Sequence, residues 1–136
     1  MLNKQMIVGT IVVFISMMLF GFLVFGMALE GFYTEHASNI TVRPVGEEPM
    51  HWLAVGQLIM AYAFVWIWSH AVESKGITEG VRFGFFMGLF WAGTEMIQYT
   101  FIPMAQVVMW VGYFGDIIMM MLAGAMLSLV WPKLND

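Results

Sequence analysis

The chain contains no cysteine and little charge: only 10% of its 136 residues are Asp, Glu, Lys or Arg. The lack of cysteine excludes disulfides, thiolate metal sites and cysteine nucleophiles, and it leaves the redox compartment undetermined. Soluble domains carry about 25% charged residues. Because so few charges could not cover a globule of this size with polar surface, we expect the chain to be solvated by lipid.

Basic clusters and catalytic motifs are also missing. The formal net charge is −4 and no run of Lys or Arg occurs, so nucleic acid is not an expected partner. The sequence has no P-loop, no G-x-S-x-G, no H-E-x-x-H and no dinucleotide-binding glycine pattern. It therefore predicts neither an enzyme nor a bound cofactor.

Hydrophobic residues make up 61% of the chain and concentrate in four long stretches. A helix needs about 20 apolar residues to cross a hydrocarbon layer of about 30 Å. The stretches meet this length and span residues of about 6–29, 50–69, 81–102 and 105–131. They predict an all-α fold, a four-helix transmembrane antiparallel bundle, in a single domain of residues 1–136 with a long loop at 30–49.

The positions of Lys and Arg predict how this bundle is oriented. Four spanning helices place both termini on one side of the membrane, and cytoplasmic segments are enriched in positive residues. If the termini are cytoplasmic, Arg43 is the one basic residue on the outer side of the membrane. The four basic residues on the cytoplasmic side are then Lys4, Lys75, Arg82 and Lys133. We therefore expect both termini in the cytoplasm and the loop 30–49 on the outer side.

The third predicted helix carries a ridge of small residues on one face. Residues four positions apart share a helix face, and Gly80, Gly84, Gly88 and Ala92 follow this spacing. In lipid such a ridge lets two helix backbones approach closely, because packing drives helix association there. The ridge predicts a close contact, either with a helix of the same chain or through self-association or another membrane protein.

Two acidic residues, Glu95 and Asp116, lie inside the third and fourth predicted helices. If the hairpin between these helices turns near Met104, Glu95 precedes the turn by nine residues and Asp116 follows it by twelve. At about 1.5 Å per residue, their depths differ by only about 4–5 Å. We therefore expect both carboxyl groups to enter the same interior space.

Other polar residues are predicted to surround these acids in the outer half of the bundle. The expected ligand- or ion-binding pocket consists of Glu30, Gln57, Glu95, Gln98, Tyr99, Tyr113 and Asp116. In the inner half, Thr10, Ser16 and Ser128 can hydrogen-bond to their own helix backbone. The pattern predicts a polar pocket that opens outward and ends on an apolar floor.

No Lys or Arg is predicted to lie at membrane depth, where it could pair with either acid. An ionised carboxylate at the centre of a bilayer costs at least about 2.5–3.5 kcal/mol. Three explanations stay open: a carboxyl is protonated, the pocket contains water, or the acids bind a cation or a basic group. The structural alternative is a neutral acid that hydrogen-bonds to a neighbouring side chain and holds two helices together.

His36 and His51 are weak candidates for metal ligands. Both belong to the loop 30–49 or its edge, where the side chains of Glu30, Glu35 or Glu47 could join them. No close spacing of ligands supports a metal site, so hydrogen bonding at the surface is the default expectation for both histidines.

In size and layout the whole chain resembles the small, uncharacterised four-helix integral membrane proteins of bacteria. This resemblance carries no functional residue, and it implies the bacterial cytoplasmic membrane as the location. Two functions fit the sequence. The small-residue ridge favours a non-catalytic accessory subunit of a membrane complex or a small homo-oligomer. The polar pocket favours a carrier or channel component that binds protons or cations at Glu95 and Asp116.

Overall fold

The computed structural model describes residues 3–28, 31–32, 49–72, 76–103 and 105–134. Its helices are α1 (Lys4–Phe20), α2 (Met50–Ala71), α3 (Ile77–Phe101) and α4 (Gln106–Val130). A π-helical segment, Gly21–Ala28, continues α1, and a 3-10 turn, Trp131–Leu134, continues α4. The predicted all-α, four-helix architecture is confirmed. The largest boundary difference lies at the start of α3, which begins at Ile77 and not at residue 81.

Local hydrogen bonds and proline explain two of the helix ends. At the start of α1, the side chain of Asn3 accepts a hydrogen bond of 2.9 Å from the backbone N–H of Met6. At the end of α3, Ile102 adopts an extended conformation with φ −111° and ψ 123°. The residue before a proline disfavours helical geometry, and Pro103 follows Ile102. The short connection that results joins α3 to α4 as a hairpin.

The helices run alternately up and down, and the hairpin of α3 and α4 forms the most extensive contact. α1 packs against both α2 and α4. The start of α1 lies beside the ends of α2 and α4, because a Cβ at Gly9 would be 3.1 Å from Val65 and 3.2 Å from Leu127. We call this the termini end of the bundle, and we call the opposite end the cavity end.

The small-residue ridge of α3 is buried against α4 of the same chain. Its members are Gly80, Gly84, Gly88 and Ala92. A Cβ at Gly84 would be 2.7 Å from the Cα of Met121, and one at Gly80 would overlap the carbonyl oxygen of Gly124. The two backbones therefore approach closely, as the spacing predicts. Because α4 covers the ridge, this face of α3 is not open to a second copy.

An apolar core fills the termini half of the bundle. Phe64 and Trp68 of α2 are almost completely buried, and both rings contact Phe83 of α3, with centroids 4.9 and 5.5 Å apart. The Trp68 ring also meets Trp131, at 6.4 Å between centroids. These edge-to-face contacts connect α2 with the α3–α4 hairpin.

Within the described residues, three segments are long and apolar enough to cross a membrane by length and composition: Lys4–Phe25, Met50–Ala71 and Gln106–Leu134. α3 is not among them, although the sequence predicts a fourth span at about residues 81–102. Its sequence includes Glu79, Arg82 and Glu95 besides the glycines, which lowers its mean hydropathy. The less apolar face of α3 is the one that α4 covers, whereas Phe90 on the opposite face is 80% exposed.

Candidate functional site

An open cavity of about 420 Å³ lies at the cavity end, and all four helices contribute to it. Its polar side chains are Gln57 of α2, Glu95 of α3 and Asp116 of α4. Much of the remaining wall is aromatic or thioether: Phe25, Trp52, Trp91, Met17, Met60 and Met119. The structure therefore brings together three of the polar residues that the sequence assigns to a pocket, each from a different helix.

Glu95 reaches α4 because the ridge of α3 holds the two helices at short distance. Glu95 follows Ala92, the last member of the ridge, by three residues and so continues the same face. A Cβ at Gly112 of α4 would be 2.8 Å from the carboxyl carbon of Glu95. The missing side chain of Gly112 thus leaves the space that the Glu95 carboxyl occupies.

Asp116 lies one helical turn after Gly112, on the same face of α4. Its side chain is only 6% exposed, and its carboxyl group lies beside that of Glu95. Two ionised carboxylates at such close range repel each other. A proton on one of the acids, or a positive group beside them, would relieve this repulsion.

Two oxygens of the site are buried and receive no hydrogen bond from the described part of the chain. They are Oδ2 of Asp116 and Oε1 of Gln57. More than about 90% of buried polar groups in proteins have a hydrogen-bond partner. Both atoms are acceptors, and the described basic residues Lys4, Arg82 and Lys133 do not line the cavity. No described basic residue therefore faces these acceptors, and a positive charge would complement the site.

Gln98, Tyr99 and Tyr113 are not brought into this cavity. The last turn of α3 is exposed on all sides, so Gln98 and Tyr99 are exposed there. The ring of Tyr113 packs against Trp110 and Phe114, with centroids 5.6 and 5.2 Å away. Helical spacing shows that these residues share the angular position of the acids around their helix axes. It does not show how far along each helix the neighbouring helices bury that face.

Glu30 and His36 lie outside the described residues. His51 is exposed at the start of α2, and its ring is 5.3 Å from that of Trp52. In the described ranges no group of three His, Cys, Asp or Glu side chains is arranged to hold a metal ion. The weak metal hypothesis for His36 and His51 stays a prediction.

The sequence predicts that the hydroxyls in the termini half hydrogen-bond to their own helix, and Ser128 does so whereas Thr10, in the part of the chain that the structure describes, does not. The hydroxyl of Ser128 donates a hydrogen bond of 2.7 Å to the carbonyl of Ala125 on its own helix. The hydroxyl of Thr10 is buried and makes no such bond within the described residues. The cavity itself borders Met17 and Met119, which also belong to the apolar core.

Several features of the site are missed by reasoning from the sequence. The Gly21–Ala28 segment is π-helical, and Gly21 and Phe25 of this segment line the cavity. π-Helical turns are rare and occur frequently at functional sites. The role of Gly112 is also missed, although its position four residues before Asp116 is a signal that could have revealed it.

Comparison with known proteins identifies no relative of the chain. No protein-family model matches it, and neither a curated protein nor a solved structure is significantly similar to it.

Proposed function

We propose that the chain is an integral membrane protein that binds a proton or a cation between Gln57, Glu95 and Asp116. The observation that carries this proposal is the state of Asp116. Its carboxyl is 6% exposed, contacts the Glu95 carboxyl and keeps Oδ2 without a donor among the described residues. Removing such a charge from water is costly unless a proton or a positive group compensates it.

The proposal includes four membrane-spanning helices with both termini in the cytoplasm, in the cytoplasmic membrane of a bacterium. The burial of the ridge supports a spanning role for α3, since its small and polar face is turned toward α4. Its exposed face carries Phe86 and Phe90, which suit contact with lipid. In this orientation the cavity opens toward the outer side.

The described residues favour binding over a continuous pore through one chain. Beyond the cavity, buried apolar side chains such as Val13, Ala61 and Met120 fill the space toward the termini end. A carrier would have to move its helices to open that side, and a channel would need a path supplied by other copies. We therefore propose a binding site, and transport would require helix movement or further copies in addition.

The accessory-subunit hypothesis stays a prediction, but its main argument is weaker. The ridge that suggested a partner helix is filled by α4 of the same chain. Purification in mild detergent tests this hypothesis directly. A stoichiometric membrane-protein partner would support it, and a lone monomer would count against it.

Infrared titration of the protein in lipid nanodiscs tests the proposed site. Protonated carboxyl groups absorb apart from carboxylates, so the spectrum shows whether acids gain or lose protons as pH or added cations change. We expect a protonated-carboxyl band that Asp116→Asn and Glu95→Gln each alter. Glu79→Gln is the matched control, because Glu79 lies at the termini end of α3, next to Arg82.

The proposal fails if neither pH nor any added cation changes the signals of Glu95 and Asp116. It also fails if both amide variants keep the complete titration of the unmodified protein. Each variant must elute and unfold like the unmodified protein, so that the spectra compare folded molecules.

A further inference from the structure

The cavity is larger, and its wall is more aromatic, than the binding of a proton or a single metal ion requires. Its volume of about 420 Å³ falls in the range of about 300–1,000 Å³ that is typical for small organic ligands. The wall includes Phe25, Trp52 and Trp91, whose rings offer both apolar area and negative faces. These features indicate a ligand that has a hydrocarbon part.

The polar end of the cavity limits the chemistry of that ligand. Oδ2 of Asp116 and Oε1 of Gln57 are buried acceptors without a donor in the described ranges, and the Glu95 carboxyl adds further acceptors. A carboxylate or phosphate ligand would be repelled by the two acids and would supply no donor. A quaternary ammonium would supply charge but no N–H groups. A primary ammonium supplies both, with three donors on one nitrogen.

A metal ion fits the same surroundings less well. Hard divalent cations such as Ca²⁺ take about six to eight oxygen ligands. The cavity offers oxygens from only three described side chains, Gln57, Glu95 and Asp116. The thioethers of Met17, Met60 and Met119 also line the cavity and could attract a soft metal, but the carboxylate and amide oxygens beside them are ligands that hard ions prefer.

We propose that the cavity binds a small organic molecule with a primary ammonium group. The nitrogen donates hydrogen bonds to Asp116, Glu95 and Gln57, and the hydrocarbon part lies against the aromatic wall of Trp91 and Phe25. This inference rests on the proposed cation-binding function, because it names the class of cation.

Equilibrium binding of tritiated 2-phenylethylammonium to the detergent-purified full chain tests the inference. Unlabelled 2-phenylethylammonium, 2-phenylethanol and trimethyl(2-phenylethyl)ammonium serve as competitors. We expect the alcohol to compete about tenfold or more weakly, because it lacks the charge that strengthens hydrogen bonds to carboxylates. The trimethyl compound should also compete less well than the primary ammonium, since it donates no hydrogen bond.

Two variants connect the binding to the cavity. Asp116→Asn should lower the affinity for the probe at least about tenfold, because it removes a charged acceptor. Gly56→Leu should abolish binding by occupying the cavity, since Gly56 lines it and a Cβ there meets no atom within 4 Å. Gly93→Leu is the matched control, because its Cβ also meets nothing within 4 Å and Gly93 does not line the cavity.

The outcomes separate this inference from the proposed function. Equal competition by the alcohol, or unchanged binding in Gly56→Leu, overturns the ammonium assignment. If the probe does not bind but the infrared titration responds to protons, Na⁺, Ca²⁺ or Ag⁺, the inference fails while the proposed function stands. If neither probe nor cation acts on Glu95 and Asp116, both fail. Selective, variant-sensitive binding of the primary ammonium supports both.

Discussion

The carboxyl group of Glu95 lies directly against the backbone of Gly112, where a Cβ would be 2.8 Å from its carboxyl carbon. Gly112 precedes Asp116 by one helical turn, so the space left on α4 places Glu95 next to Asp116. The pairing of the two acids thus depends on a residue without a side chain. It also depends on the buried ridge that holds α3 and α4 at short distance.

Gly112→Ala should weaken ligand binding more than it weakens the fold. The new methyl group would meet the end of the flexible Glu95 side chain, which can turn away at little cost in stability. Turning away separates the Glu95 carboxyl from that of Asp116. We expect a lower affinity for the bound cation and a nearly unchanged unfolding temperature. Binding and thermal unfolding of the same detergent sample check this, and unchanged affinity would show that the position of Glu95 does not matter.

Gly84→Ala should destabilise the α3–α4 hairpin. A Cβ at Gly84 would overlap the carbonyl oxygen of Met120 and come within 2.7 Å of the Cα of Met121, so backbone would have to move. Overpacking of this kind costs about 1–3 kcal/mol in the free energy of unfolding. Gly93→Ala on the same helix is the control, since its Cβ meets nothing within 4 Å. Equal stability of the two variants in denaturant titrations would contradict the close backbone contact.

Phe64→Ala should be far more damaging than Phe90→Ala. Phe64 is 1% exposed and packs against Phe83, whereas Phe90 is 80% exposed on the outer face of α3. Removing a buried Phe side chain costs about 3–5 kcal/mol, largely through the cavity left behind. Denaturant titrations of both variants measure the difference. A large loss of stability in Phe90→Ala would mean that another protein surface covers this face.

The orientation in the membrane can be tested by labelling introduced cysteines, because the chain has no cysteine of its own that would also react. Thr78 is exposed near the start of α3, at the termini end, and Phe101 is exposed at the other end of the same helix. Each is replaced by cysteine in a separate variant, Thr78→Cys and Phe101→Cys. With both termini in the cytoplasm, a membrane-impermeant maleimide should label Phe101→Cys in intact cells. It should label Thr78→Cys only after permeabilisation. The reverse pattern would invert the proposed orientation, and labelling of both in intact cells would contradict a spanning α3.

Much of the fold follows from two simple properties of the sequence. The length of the apolar stretches is sufficient to locate all four helices, and the four-residue spacing of Gly80, Gly84 and Gly88 identifies the face of closest packing. Both depend only on residues near each other along the chain, which is why they can be predicted. That the ridge meets α4 and not a second copy depends on the whole bundle, and the spacing leaves it open.

The candidate site is predictable only in part for the same reason. Glu95 and Asp116 meet because both lie at similar distances from one hairpin turn, which is a local relationship. Gln98 and Tyr99 share the angular position of Glu95 but lie one turn further, where α3 is exposed on all sides. The contribution of Phe25 depends on the π-helical segment, which hydropathy does not predict.

The central claim is that protons and a cation compete for the acids at the cavity end. It is tested most directly by the protons released when 2-phenylethylammonium or Na⁺ is added to the protein in a weakly buffered solution. The unmodified chain should release protons in proportion to the cation bound, while the double variant Glu95→Gln with Asp116→Asn should release none and bind less. Proton release that is identical in the two proteins, or cation binding that the double variant retains in full, would contradict the claim.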